Sequence, residues 1–356
     1  LRIGRWGALV GAGVYQLSLF MVVSAVFPMI VAGAVWLPLL LLAFESILQH
    51  RPLFGHPASL PWMVVGALAL GLQLLAGHPE VVAYSVLVAA AYAAWQLLPL
   101  ALSSRGRTAM RPAAFFGGMV AFGLLLGALQ FLPLLEAAGS NFRADAASLA
   151  EVRGWGYPPR RLITLLAPNF FGNPSHHRYF DWFTRSWTPV SVNALGERIT
   201  AIDWGIKNYV EGGMYVGVLP LLLSGVALLS PGTGRNASAR LRPLKWFFAL
   251  LAALSLAFAF GTPLYALLYH LPGLSQLHSP FRWVWPFSLC MATLAALGAD
   301  SLAAGNRNGR SAAAGGLARL AMVAGSGLIL TVALASTFYP RAEPVIQRAF
   351  WQLARA

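Results

Sequence analysis

His78 and Glu80 stand two residues apart in Gly77-His78-Pro79-Glu80, between two long apolar stretches, and Arg282 stands in Ser279-Pro280-Phe281-Arg282-Trp283, at the start of another. The first group offers a proton acceptor at the mouth of a helix bundle. It also has a purely structural explanation. Gly ends one helix, Pro is allowed in the first turn of the next, and Glu complements that helix's dipole. Arg282 is more informative, because the dipole disfavours a cation in a first turn. A compensating anion is therefore expected. It is either an acid of the chain, with Asp203 or Glu211 the expected partners, or a phosphate held by the guanidinium and the free N–H groups of the helix start. Interfacial snorkelling beside Trp283 and Trp285 is a third reading.

Other polar groups gather in one long stretch. Pro168-Asn169-Phe170-Phe171-Gly172-Asn173-Pro174 is followed by His176, His177 and Asp181, but adjacent histidines in a turn-like context give no recognised ligand spacing, so no metal site is assigned. The aromatic density from Tyr179 to Trp187 reads as a platform lying on lipid headgroups or stacking on a sugar. Glu136, Asp203 and Glu211 border the ends of the stretch. They read as solvated loop acids by default, and as general bases if lipid or substrate shields them. Cys290 is the only cysteine and lies in an apolar run, which excludes a disulfide framework and a thiolate metal cluster. Walker loops, dinucleotide fingerprints, GxSxG and HExxH are absent, so soluble nucleotide and hydrolase chemistries lack support.

A bilayer must position these groups. The 356 residues are 58% hydrophobic and only 10% charged, with a mean hydropathy of +0.66. A soluble domain is nearer half apolar and about a quarter charged. Apolar runs predict nine spanning helices, near 6–24, 30–48, 61–76, 80–102, 113–136, 212–230, 244–261, 281–300 and 317–338. The formal charge of +14 sits largely in short connections, at Arg2/Arg5, Arg51, Arg105/Arg107/Arg111, Arg235/Arg240/Arg242/Lys245 and Arg307/Arg310/Arg319. These alternate onto one side, the cytoplasm by the positive-inside rule, and they argue for topology rather than nucleic-acid binding. The opposite side receives the His78 turn, a large loop 137–211, the segment 261–280 and a tail 339–356. The expected fold is an all-α integral membrane protein, one polytopic domain over 1–338. Gly7/Gly11, Gly123/Gly127 and Gly213/Gly217 have GxxxG spacing, for packing within the bundle or for a dimer seam. The chain opens on Leu1 rather than Met, and upstream residues are expected to be missing.

The same segments resemble the YfhO-like bacterial membrane proteins of the GT-C type of lipid-linked-sugar glycosyltransferases. The matching stretches are Leu75-Ala76-Gly77-His78-Pro79-Glu80, Leu166-Ala167-Pro168-Asn169-Phe170-Phe171-Gly172, Tyr215-Val216-Gly217-Val218-Leu219-Pro220-Leu221, and Leu271-Pro272-Gly273-Leu274 followed by Ser279-Pro280-Phe281-Arg282-Trp283. The resemblance implies a GT-C-like bundle in the bacterial cytoplasmic membrane that moves a sugar from a polyprenyl-phosphate donor to an envelope glycan or lipid, with inversion. A carboxylate then deprotonates the acceptor, and cations or a divalent metal ion stabilise the leaving phosphate. No metal ligand set is identified. Candidate bases are Glu80, Asp203 and Glu211; candidate substrate-binding residues are His78, Arg282, His278 and Asn169. The family places its catalytic acid in the first extracytoplasmic loop, whereas Ser24 to Met29 carries none. The competing functions are a transporter or flippase of lipid-linked sugars, which needs polar or broken helices near the bilayer midplane, and a non-catalytic envelope assembly protein.

Overall fold

A computed structural model of the chain describes residues 3–53, 55–57, 59–102, 106–138, 147–170, 178–181, 186–189, 212–230, 241–271, 273–277 and 279–307. In chain order these form α1 (Arg5–Gln16), α2 (Leu19–Val23), α3 (Pro28–Ala34), α4 (Leu37–Leu48), β1 (Pro52–Leu53), β2 (His56–Pro57), α5 (Ser59–Leu75), α6 (Pro79–Leu102) and α7 (Arg107–Ala138). There follow α8 (Leu149–Gly154), β3 (Arg178–Asp181), β4 (Ser186–Pro189), α9 (Val218–Leu229), α10 (Leu241–Ala259), α11 (Ala266–Tyr269) and α12 (Val284–Arg307). The strands make two antiparallel pairs, β1 with β2 and β3 with β4. The rest of the described architecture is helical.

Among the described residues, four segments are long and apolar enough to cross a membrane: Pro28–Leu48, Pro79–Leu102, Thr108–Glu136 and Pro280–Ala303. The number is six if each bent pair, Arg5–Gln16 with Leu19–Val26 (46°) and Pro243–Ala259 with Pro263–Tyr269 (100°), forms one span. Helices α5 and α9 are apolar but shorter. Eight of the nine expected segments thus fall on helical structure, and 317–338 lies outside the described residues together with the tail 339–356 and much of the loop 137–211. Two starts differ from expectation. Helix α7 begins at Arg107 and carries Pro112 inside it, so that proline does not mark the helix start. Helix α9 begins at Val218, because Gly217 has φ +97, and Tyr215 ahead of it gives its carbonyl to Leu19 N at 2.8 Å instead of to a helix.

The break between α3 and α4 is closed by side chains. Pro38 has no N–H for the carbonyl of Ala34, four residues back. Tyr15 Oη donates to that carbonyl at 2.8 Å, and Gln73 Nε2 donates to the neighbouring Gly33 carbonyl at 2.8 Å. Trp285 Nε1 donates in turn to Tyr15 Oη at 2.7 Å, and Gln73 Nε2 also reaches Ser85 Oγ at 2.6 Å. The interruption between α3 and α4 is therefore stitched from α1, α5, α6 and α12, as a bilayer requires of freed backbone groups.

Helix α12 packs against α1, α9 and α10, and α5 packs against α4 and α7. Helices α5 and α7 exchange knobs and gaps: Gly66 and Gly71 face Met119 and Leu126, while Gly123 and Gly127 face Leu70 and Leu74. A Cβ at Gly123 would lie 2.7 Å from Leu70 Cβ. Gly7 and Gly11 likewise receive Ala296 of α12, so both spacings serve contacts within the bundle. Lys245 Nζ closes the C-terminal end of α9 by donating to the carbonyls of Ala227, Leu228 and Ser230 at 3.2, 3.1 and 2.8 Å.

Candidate functional site

Gly77, at φ +82, turns the chain out of α5, and Pro79 opens α6. His78 Nδ1 accepts from Val81 N at 3.4 Å, a weak cap on the first turn. The structural reading of this turn is realised, but Glu80 does more than complement a dipole. It points inward and is buried, with Oε2 paired to Arg282 Nη1 and Oε1 accepting from Tyr84 Oη at 2.8 Å. Glu80 and Tyr84 are four residues apart and so share a helix face.

Arg282 lies in a 3-10 turn, Pro280–Trp283, ahead of α12. The anion expected near it is thus supplied from 202 residues away by Glu80. The expected partners Asp203 and Glu211 lie outside the described residues, as does His278. Tyr84 Oη is also 3.2 Å from the Ser279 carbonyl. The Trp283 ring meets Tyr84 and Phe258, each at 4.9 Å between centroids. The side chains of Arg282 and Glu80 keep 16% and 11% exposure. Burial, and then the charge of Arg282, push the His78 imidazole down to about 4, so it is neutral near pH 7.

The stretch 147–170 covers this end of the bundle. Ser148 caps α8 through a capping box with Glu151. Tyr157 N donates to the Ala259 carbonyl at 2.8 Å, Arg153 Nε to the Gly261 carbonyl at 2.9 Å, and Tyr269 Oη to the Ala147 carbonyl at 2.8 Å. Arg161 is buried over the Tyr157 ring at 3.9 Å, and that ring meets Phe281 at 5.6 Å, next to Arg282. Asn169 sits exposed on the turn that follows, rather than in the buried pair, and Glu136 is exposed on the last turns of α7.

An apolar groove of about 290 Å³ adjoins the site, lined among others by Leu74, Pro79, Val82, Val86, Phe131 and Leu271. It shares the first turn of α6 with Glu80: Pro79, Val82 and Val86 face the groove, while Glu80 and Tyr84 face Arg282 and Ser279. One polar cluster escaped the sequence reading. Glu45, buried in α4, accepts from Tyr92 Oη at 2.8 Å and Gln96 Nε2 at 2.9 Å, and pairs with Gln49. The signal was present as a single acid inside an apolar run. Tyr84, too, was legible from its spacing to Glu80.

Among the described residues, no three His, Cys, Asp or Glu side chains come together so as to hold a metal ion. Glu80 is engaged by Arg282 and Tyr84, and His78 Nδ1 by Val81 N. The described groups do not fit a resident metal. No protein-family model, curated protein or solved structure matches the chain.

Proposed function

We propose that the chain is a membrane glycosyltransferase that moves a sugar from a polyprenyl-phosphate donor to a cell-envelope acceptor, on the extracytoplasmic side of the bacterial cytoplasmic membrane. In this reading α5, α9 and the segment 317–338 also span, giving nine helices, and 137–211 is the large outer loop. The observation that carries it is the Glu80–Arg282–Tyr84 cluster opening beside an apolar groove. An oxyanion headgroup suits Arg282, and an isoprenoid tail suits the groove.

The donor phosphate takes Arg282 in place of Glu80. The released carboxylate, steered by Tyr84, accepts the proton of the acceptor hydroxyl. That oxygen forms a bond to the anomeric carbon as the bond from that carbon to the phosphate oxygen breaks. The electron pair leaves with the polyprenyl phosphate, whose charge Arg282 balances. Asp203 and Glu211 remain candidate bases, and His278 and Asn169 candidate contacts to the sugar.

Binding of farnesyl phosphate and farnesol to the protein in nanodiscs tests the site. Arg282→Gln should lose the preference for phosphate, whereas Glu80→Gln, which removes the internal competitor, should bind phosphate more tightly yet lose sugar transfer. Equal binding of phosphate and alcohol by the wild type would remove the basis of the proposal.

A transporter or flippase is the second reading, favoured by the broken helices at Leu17–Ser18 and at Val35–Trp36. In transporters such breaks expose carbonyls to the substrate path. Here Tyr15 and Gln73 occupy the Ala34 and Gly33 carbonyls, which favours the enzyme. Transbilayer movement of a fluorescent polyprenyl-phosphate sugar without product formation would reverse that preference.

A further inference from the structure

We propose that Trp283 is the second donor of the site, its indole N–H taking an acceptor oxygen of the same oxyanion headgroup whose charge Arg282 neutralises. The inference rests on the reading of Arg282 as an anion site and adds the residue that gives that site direction.

Trp283 is 2% exposed, and its Nε1 has no hydrogen-bond partner among the described residues. Two other tryptophans show what the fold does with an indole N–H when it can: Trp285 donates to Tyr15 Oη at 2.7 Å and Trp62 to the Arg51 carbonyl at 3.0 Å. A buried donor without an acceptor costs free energy comparable to a lost hydrogen bond, so its retention needs a reason. Packing does not supply one. The contacts of the ring with Tyr84 and Phe258 require an aromatic face, which phenylalanine also has.

Position supplies the reason. Trp283 follows Arg282 in one 3-10 turn, and its ring lies against Tyr84, whose hydroxyl holds Glu80. The ring that carries the unmatched N–H therefore packs on the residue that holds Glu80, the partner of Arg282. An indole N–H is a donor only, so it selects an acceptor oxygen and gives nothing to a cation. A phosphate monoester or diester presents such oxygens around one charge, and Arg282 with Trp283 would hold two of them. Point charge alone binds any anion; a second, fixed donor adds geometry.

The test uses the full chain in nanodiscs with ¹⁵N-indole labelling, with farnesyl phosphate as the ligand and farnesol as the neutral control. Trp283→Phe identifies the resonance by its loss. On adding farnesyl phosphate the Trp283 indole proton should move downfield, and farnesol should leave it in place. Trp283→Phe should bind farnesyl phosphate about tenfold more weakly while melting at the same or a higher temperature, since it removes an unmatched donor. If binding depends on Arg282 but the indole resonance does not move, Trp283 is not a donor and the anion site stands without it. If the wild type and Arg282→Gln bind farnesyl phosphate alike, the anion site itself fails and the role of Trp283 fails with it.

Discussion

At the scale of residues, the site joins Glu80 and Tyr84, neighbours on one face of α6, to Arg282 from a distant part of the chain. Arg282 sets the state of its surroundings: it pairs with Glu80 and helps keep His78 neutral. The His78 shift has a defined consequence. The unfolded chain takes up a proton near the ordinary 6.5, whereas the folded chain does so only at about 4. Stability from this group is thus fully present above the ordinary value and falls as pH drops through the window between the two. An NMR titration of His78 should show no protonation until near pH 4, and Arg282→Gln should raise its midpoint only part of the way, because burial is the larger cause. A midpoint near 6.5 in the wild type would contradict the buried placement.

At the scale of elements, proline-broken helices are held by neighbours rather than by themselves. Tyr15 accepts from Trp285 and donates to Ala34, so one hydroxyl joins α1, α3 and α12. Tyr15→Phe should cost about 0.6–1.7 kcal/mol, the range for interhelical hydrogen bonds in a bilayer, read as resistance to denaturing detergent. A loss several times larger would mean that the break collapses without it. The sequence made the apolar stretches legible because their length and punctuation are local properties, and eight of them fall on helical structure. The ion pair was not legible in the same way. Arg282 signalled that it needed an anion, but the choice of Glu80 over Asp203 and Glu211 depends on α6 lying against the start of α12, and no local pattern encodes that. The unmatched N–H of Trp283 was hidden for the same reason.

At the scale of the whole molecule, the polar cluster and the stretch 147–170 lie at one end of the bundle, where α6 begins, and the connection between α6 and α7 at the other. In a Cys290→Ala background, a thiol placed by Ala150→Cys should react with a membrane-impermeant maleimide from outside the cell, and one placed by Gly106→Cys only after the membrane is opened. The same side for both would undo the topology. The bundle also closes across nearly its full described length. Asp300 Oδ1 accepts from Gly4 N at 2.7 Å, across 296 residues, and Gly7 and Gly11 rest on Ala296. At a synthesis rate of about 5–20 residues per second, α1 leaves the ribosome roughly 15–60 s before α12. For that interval its glycine face lacks the α12 surface on which it comes to rest, so closure of this contact is paced by translation.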